Sequence, residues 1–349
     1  MHTRHRLQLA DSRGASLADV GQVELVVTSP PYPMVEMWDE AFENMCPGVR
    51  SSIEAGRGSE AFEAMHGELD KVWLRCADLL CDGGLLCINV GDATRSLDSR
   101  FQLYSNHARI VQAVSGMGLT PLPDILWHKP TNSPTKFMGS GMLPPGAYVT
   151  YEHEYILIFR KGQRRSFGTA GARGNRHRSA YFWEERNRWF SDVWRDLRGT
   201  GQDLGPGAER SRSAAFPFEL AYRLVCMFSV YGDTVFDPFV GTGTTMLAAA
   251  AAARNSVGVE WDEGLAVEVD RSLNAVVDVG VTRARARLRA HEEFVSGRES
   301  EGRTPAHLNE PHGFPVVTRQ EQSLELLVPR EVRQVEPGLV SVLHGPARG

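Results

Sequence analysis

The 349-residue chain lacks several features that would assign it to a simple class. No apolar run approaches the length needed to cross a bilayer, so a membrane-spanning helix is not expected. The basic start, Met1-His2-Thr3-Arg4-His5-Arg6, is followed by no apolar core, so no signal peptide is expected either. Cysteine is scarce: five residues (Cys46, Cys76, Cys81, Cys87, Cys226), odd in number and without zinc-ligand spacing. That argues against a disulfide framework or a cysteine zinc site, and suits a reducing cytoplasm with most thiols as buried apolar groups. No internal repeat is apparent. A global positive charge is missing too, the formal net charge being −5. What remains, 42% hydrophobic and 23% charged, is ordinary for a globular protein with one elaborated domain or two.

Alternating apolar runs and helical spacings supply the frame. Seven segments read as strands: 7–10, 23–28, 85–90, 124–127, 155–159, 234–236 and 257–260. Helical patterns lie between them at 69–80, 106–117 and from 216 to about 230, with a long helix or helical pair from 262 to about 294. Such alternation argues for a doubly wound α/β sheet. The 33–67 stretch is too long for an ordinary connection, and is expected to hold helical pieces and a flexible loop over a site.

Two motifs carry chemistry. The run Val23-Glu24-Leu25-Val26-Val27-Thr28 is ended by Ser29-Pro30-Pro31-Tyr32. The prolines remove donors and fix φ, which stops the strand and leaves a hydroxyl and an aromatic ring at its carboxyl end. Open α/β sheets bind ligands there. The tetrapeptide alone reads equally as a rigid turn. The second motif is Val235-Phe236-Asp237-Pro238-Phe239-Val240-Gly241-Thr242-Gly243-Thr244-Thr245, followed by an alanine-rich run: strand, glycine turn, helix. Its third glycine position is Met246, unlike a dinucleotide site, and no lysine precedes Thr244-Thr245, unlike a P-loop. The turn is tight but not built for phosphate. Glu260 ends the next strand about 20 residues on, the spacing at which an acid meets ribose hydroxyls.

Together these motifs resemble those of the amino-group DNA methyltransferases, which methylate the exocyclic nitrogen of a flipped cytosine or adenine. The resemblance covers roughly 7–277. It implies a seven-stranded S-adenosylmethionine-dependent methyltransferase (Rossmann-like) sheet with an antiparallel seventh strand. The catalytic motif precedes the cofactor motif, the circularly permuted order of the β group. It implies catalytic roles for Ser29, Pro30, Pro31 and Tyr32: the Ser29 hydroxyl and Pro30 carbonyl accept from the amine, and Tyr32 stacks on the base. S-Adenosylmethionine would be held by Asp11, Asp237, Pro238, Phe239, Gly241, Gly243, Thr244 and Glu260, with Phe216 and Pro217 beside its methionine part. No metal is implied. Ser-Pro-Pro-Tyr goes mainly with cytosine N4 in the family, with adenine N6 the alternative. The stretch 28–38 is similar to BamHI-like modification methylases. A carbon-5 cytosine enzyme fits poorly, because Cys46 precedes Pro47 instead of following a proline. An RNA methyltransferase and a catalytically silent DNA-binding subunit stay open.

The segment from Arg160 to Arg212 holds thirteen basic residues against six acids, with interleaved aromatics. Arginine forks suit phosphates and guanine edges, although a charged run is usually a solvated surface. Between two methyltransferase motifs it reads as a target-recognition insertion, with Arg173, Arg176 and Arg178 on double-stranded DNA and Lys129 on a phosphate. Glu152-His153-Glu154 resembles a family signature, and His153 alone would be a structural histidine. The expected organisation is 1–161 for the catalytic half, 162–212 for the insertion, 213–295 for the cofactor half and 296–349 for a tail or small appendage. The tail's apolar clusters argue against complete disorder. The partners implied are duplex DNA and, genetically, a cognate restriction endonuclease; no membrane is implied.

Overall fold

The computed structural model describes residues 1–17, 20–129, 138–198 and 216–347. The first part of the proline-rich loop after Lys129, the Gly/Pro stretch 199–207, and Arg210 and Arg212 lie outside the described residues.

Ten strands form one sheet: β1 His2–Leu9, β2 Val23–Thr28, β3 Leu80–Val90, β4 Leu119–His128, β5 His153–Lys161, β6 Val193–Trp194, β7 Thr234–Asp237, β8 Asn255–Glu260, β9 Leu327–Glu336 and β10 Leu339–Pro346. Their order is β6-β4-β5-β3-β2-β7-β8-β1-β10-β9. All seven expected strands are present and contiguous, from β4 to β1. Within them β5 is the antiparallel one, running against both β3 and β4. The strands β3, β2, β7, β8 and β1 are mutually parallel. The sheet exceeds seven strands because β6 pairs with β4 at one edge and the β9–β10 hairpin pairs with β1 at the other. This is the methyltransferase fold with extended edges.

The helices are α1 Asp39–Met45, α2 Val49–Glu54, α3 Gly58–Leu79, α4 Asn106–Gly116, α5 Ala170–Arg178, α6 Trp183–Trp189, α7 Phe218–Phe228, α8 Thr244–Ala251, α9 Glu263–Asn274 and α10 Val276–Ser300. They cover both faces of the sheet, which is why β2 is apolar at four of its six positions, on both faces, rather than alternating. Val23 and Val26 pack with Met65 and Trp73 of α3 and Ile110 of α4. Leu25 and Val27 pack on the other face with Leu220 and Leu224 of α7 and the alanines of α8. Those alanines let α8 lie close to the sheet. Gly258 serves the same approach, since a Cβ there would collide with Met246 Sδ of α8 as well as with Val240 Cγ2.

A third cluster joins α6, α10 and the C-terminal segment through Phe182, Leu288, Val316, Leu324 and Val328. At its margin lies a buried ion pair. Glu185 receives Arg287 Nε and Nη2 at 2.6 and 2.7 Å, and each side chain is only 5% exposed. Arg287 also lies under Trp189 and reaches the Tyr222 hydroxyl. Among the described residues, no helix is long and apolar enough to cross a membrane. Removing one partner of a buried pair strands a charge at a cost of about 3–5 kcal/mol. Glu185→Ala is therefore expected to lower the unfolding free energy by that amount in urea titration. The paired change Glu185→Leu with Arg287→Met is expected to lose much less. Equal losses would mean that packing, not charge, holds α6 to α10.

Candidate active site

Strands β2 and β7 pair in parallel, with Val235 opposite Leu25 and Phe236 opposite Val26. Two motifs some 200 residues apart in sequence thus end side by side at one edge. A direct bond joins them: Thr28 Oγ1 donates to Asp237 Oδ1 at 2.6 Å. The same oxygen accepts the Phe239 amide at 3.0 Å, and Thr245 Oγ1 of α8 donates to the Val27 carbonyl at 3.2 Å. Asp237 is fully buried, and burial pushes its carboxyl up to about 6.

A cavity of about 480 Å³ opens at this junction, within the range of small-molecule sites. From the proline motif, Ser29, Pro30 and Pro31 line it. From the glycine-turn motif, Asp237, Pro238, Phe239, Gly241 and Thr244 do so, and Asp11, Phe216 and Glu260 line it as well. Gly241 has φ +56° and an added Cβ there would meet nothing within 4 Å, so the turn presents bare backbone. Two expected residues stand behind the wall. Gly243, at φ +87°, caps α8 against Val269, and Pro217 caps α7.

Glu260 is fixed by three amides. Gly241 N donates to Oε2 at 2.8 Å, while Trp261 N and Asp262 N donate to Oε1 at 3.0 Å. That uses three of a carboxylate's roughly four acceptor positions. Burial raises its pKa, and the backbone bonds oppose the shift. Asp11 is clamped by Arg13, whose Nη2 meets Oδ2 at 2.6 Å and whose Nη1 reaches Glu68 at 2.5 Å. Arg13, Glu68, Trp261 and Asp262 also line the cavity and were not foreseen. Nor were Met37, Trp38, Ala41 and Asn44, from the short helices of the expected loop. Their spacing reads as an ordinary amphipathic helix, so only folding reveals their role. Trp261 directly follows a strand-ending acid, the one usable signal.

Tyr32 departs from expectation. It does not line the cavity and is only 7% exposed, with its ring edge close to Gly91. Its hydroxyl donates to Glu154 Oε2 at 3.0 Å, accepts from Asn89 Nδ2 at 2.8 Å, and lies 3.0 Å from Ser29 Oγ. Burial, then the Glu154 charge, pushes the phenol well above its usual range, so it keeps its proton. An open stacking face is therefore not what this structure gives Tyr32. Lys129 also differs: its ammonium is 2.6 Å from Glu154 Oε1, joined to the same network instead of free for a phosphate. His153 packs between Tyr151 and Tyr155.

The expected DNA arginines are not brought to this site. Strand β5 runs away from the cavity end of the sheet, so the chain after Lys161 emerges at the opposite end. There Arg165 pairs with Asp233, and Asn175 of α5 donates to the Tyr231 carbonyl, both just before β7 begins. Arg173 bonds the Gly168 carbonyl, Arg176 lies over Phe167, and Arg178 pairs with Glu325. These three side chains make structural contacts there, and the spacing of charges in sequence carried no information about which end of the sheet they occupy.

A family model described as DNA methylase matches residues 23–268. Type II methyltransferase M.MthZI of Methanothermobacter thermautotrophicus is 47% identical over 337 residues, 96% of this chain and 94% of that protein. Type II methyltransferase M.MjaI of Methanocaldococcus jannaschii is 42% identical over 307 residues, 84% of this chain and 97% of that protein. Among solved structures, a Thermus thermophilus protein described as a putative DNA modification methylase, complexed with S-adenosyl-L-methionine, is similar. It shares 35% identity at a TM-score of 0.60, covering 78% of this chain and 94% of that one.

The buried Asp237 yields a pH test. Its folded pKa of about 6 exceeds the ordinary 3.8, so the folded chain binds the proton more tightly than the unfolded one. Its contribution is present below pH 3.8 and is lost as pH rises through about 6. Asp237→Asn keeps Oδ1 as an acceptor for Thr28 and Phe239 without the charge. Thermal melts from pH 4 to 7 are expected to show the wild type losing stability relative to this variant as pH rises. Parallel curves would refute the raised carboxyl.

Proposed function

The chain belongs to the DNA methylase family, and on that premise we propose that it is a site-specific DNA methyltransferase that methylates the N4 amine of cytosine, using S-adenosylmethionine. The observation that carries this is the position of Ser29 and Pro30 on the wall of the cavity shared with Asp237, Gly241 and Glu260.

The residues present fit the cofactor. Glu260, held by three amides, has acceptor capacity left for a ribose hydroxyl. The open backbone at Gly241 accommodates close approach, and Phe216 and Phe239 supply apolar surface. Phe239 is itself braced edge-on by Trp73 at 5.9 Å. When bound, S-adenosylmethionine supplies a methyl group activated by its sulfonium. The chain's own task is the amine. Its lone pair is delocalised into the ring, so the base has to leave the stack and meet acceptors. Ser29 Oγ and the Pro30 carbonyl accept from the amine and favour the pyramidal nitrogen of the transition state. Holding the amine at the cavity wall supplies proximity and orientation.

Serine at the first motif position supports cytosine N4 over adenine N6, which remains the second reading. The Type II names of the two relatives support a place in a restriction-modification system; a cognate endonuclease as genetic partner and a cytoplasmic setting in a prokaryotic cell belong to the same proposal.

Mass spectrometry of nucleosides from DNA treated with the enzyme tests the reaction. N4-Methylcytosine is expected. N6-Methyladenine alone would promote the second reading, 5-methylcytosine would overturn the mechanism, and no methylated base on any DNA would favour a silent subunit. Ser29→Ala is expected to lower kcat by roughly a hundredfold, the usual loss for one positioned hydrogen-bonding group, with little change in DNA affinity. Glu260→Ala removes a charged acceptor worth about 1.5–3 kcal/mol. Calorimetry with S-adenosylmethionine is expected to show affinity falling at least tenfold, and undiminished binding would remove Glu260 from the site.

A further inference from the structure

We propose that Tyr32 and Glu154 are positioning residues that set the direction of the Ser29 hydroxyl, turning its proton away from the target base and its lone pairs toward the amine. The proposal rests on the reading of Ser29 as an acceptor for the amine and extends it to the groups behind the cavity wall.

The argument is a count of protons. A serine hydroxyl carries one proton and two lone pairs and rotates to suit its neighbours. Left free, it could donate to the ring nitrogen beside the amine, which would bind the base without helping the reaction. A carboxylate only accepts. Glu154 Oε2 stands 3.0 Å from the Tyr32 hydroxyl, so the single phenolic proton is directed to Glu154. Asn89 strengthens this. Its Nδ2 donates both to Tyr32 Oη at 2.8 Å and to Glu154 Oε2 at 2.7 Å. The carboxylate fixes that amide orientation, since a carbonyl oxygen so close to it would be repelled. Asn89 Oδ1 is left buried without a partner in consequence. With its proton committed, Tyr32 can only accept from Ser29, 3.0 Å away. The Ser29 proton therefore points at Tyr32, and both Ser29 lone pairs remain for the substrate side. Lys129, 2.6 Å from Glu154 Oε1, anchors the far end. Glu154 is 8% exposed and Asn89 2%, so water does not compete at this end of the relay.

The test uses the full chain, with kcat, KM for DNA and the dissociation constant of S-adenosylmethionine measured for each variant. Tyr32→Phe removes the acceptor for the Ser29 proton. Glu154→Gln allows an amide to donate to Tyr32, whose proton then turns toward Ser29. Each is expected to lower kcat roughly tenfold, the worth of one hydrogen bond of about 1 kcal/mol or slightly more, while cofactor affinity moves less than about twofold. Because both act through Ser29, neither is expected to lower kcat further in a Ser29→Ala background, and the Tyr32→Phe/Glu154→Gln double variant is expected to be no slower than the slower single. A further loss on Ser29→Ala, or multiplying losses in the double variant, would overturn the relay and leave a structural role. Should Glu154→Gln fail to fold because Lys129 is stranded, the pair Glu154→Gln with Lys129→Met removes both charges and takes its place. The wild-type product separates the two readings. A methyl group on an exocyclic amine with any of those overturning results defeats the relay alone, whereas no methyl on any exocyclic amine defeats the role of Ser29 and the relay with it.

Discussion

The parallel pairing of β2 with β7 is the constraint on which the rest of the site depends. It is short, with Val235 and Phe236 opposite Leu25 and Val26. Yet it places the proline stop of one strand beside the glycine turn that follows the other. The Thr28–Asp237 bond then fixes their relative height. From that edge the chain diverges, β3 to one side and β8 to the other. The cavity lies where such divergence leaves the strand ends uncovered.

Buried acids are expensive, and Asp237, Glu260 and Glu154 are three that lie at or behind this site. Each is handled differently. Asp237 takes a hydroxyl and an amide and still has its carboxyl raised to about 6 by burial. Glu260 takes three amides. Glu154 takes a lysine, an asparagine amide and a phenol. The cost of holding them is met by the packing of the two layers around β2, where Trp73 and Leu224 stand on opposite faces.

The peripheral additions stabilise the fold from outside. The described part of the arginine-rich segment includes α6 and β6, which pairs with β4, and the Trp127 indole donates to the Leu197 carbonyl. The C-terminal hairpin covers the β1 edge, which removes an exposed row of unpaired backbone groups. Arginine here works as much by stacking and by closing ion pairs as by presenting charge: Arg287 on Glu185 and Trp189, Arg254 on Tyr231.

The sequence by itself determined the seven core strands and one part of the cavity wall, the ends of β2, β7 and β8. An apolar run stopped by two prolines, and a strand running into a tight glycine turn, are local events dictated by φ restriction and by hydrophobic burial. The placement of Ser29, Asp237, Gly241 and Glu260 at strand ends and in the turn between them was therefore legible before the fold. The tertiary structure alone decided which way side chains face and which end of the sheet a segment reaches. Tyr32 turned inward because Glu154, 122 residues away, offered its hydroxyl a buried acceptor. Lys129 followed the same carboxylate. Arg173, Arg176 and Arg178 fell at the opposite end because β5 is antiparallel, a property set by pairing with β3 and β4 and invisible in a run of charges. Such long-range contacts have no period in sequence, so only packing the strands together assigns them.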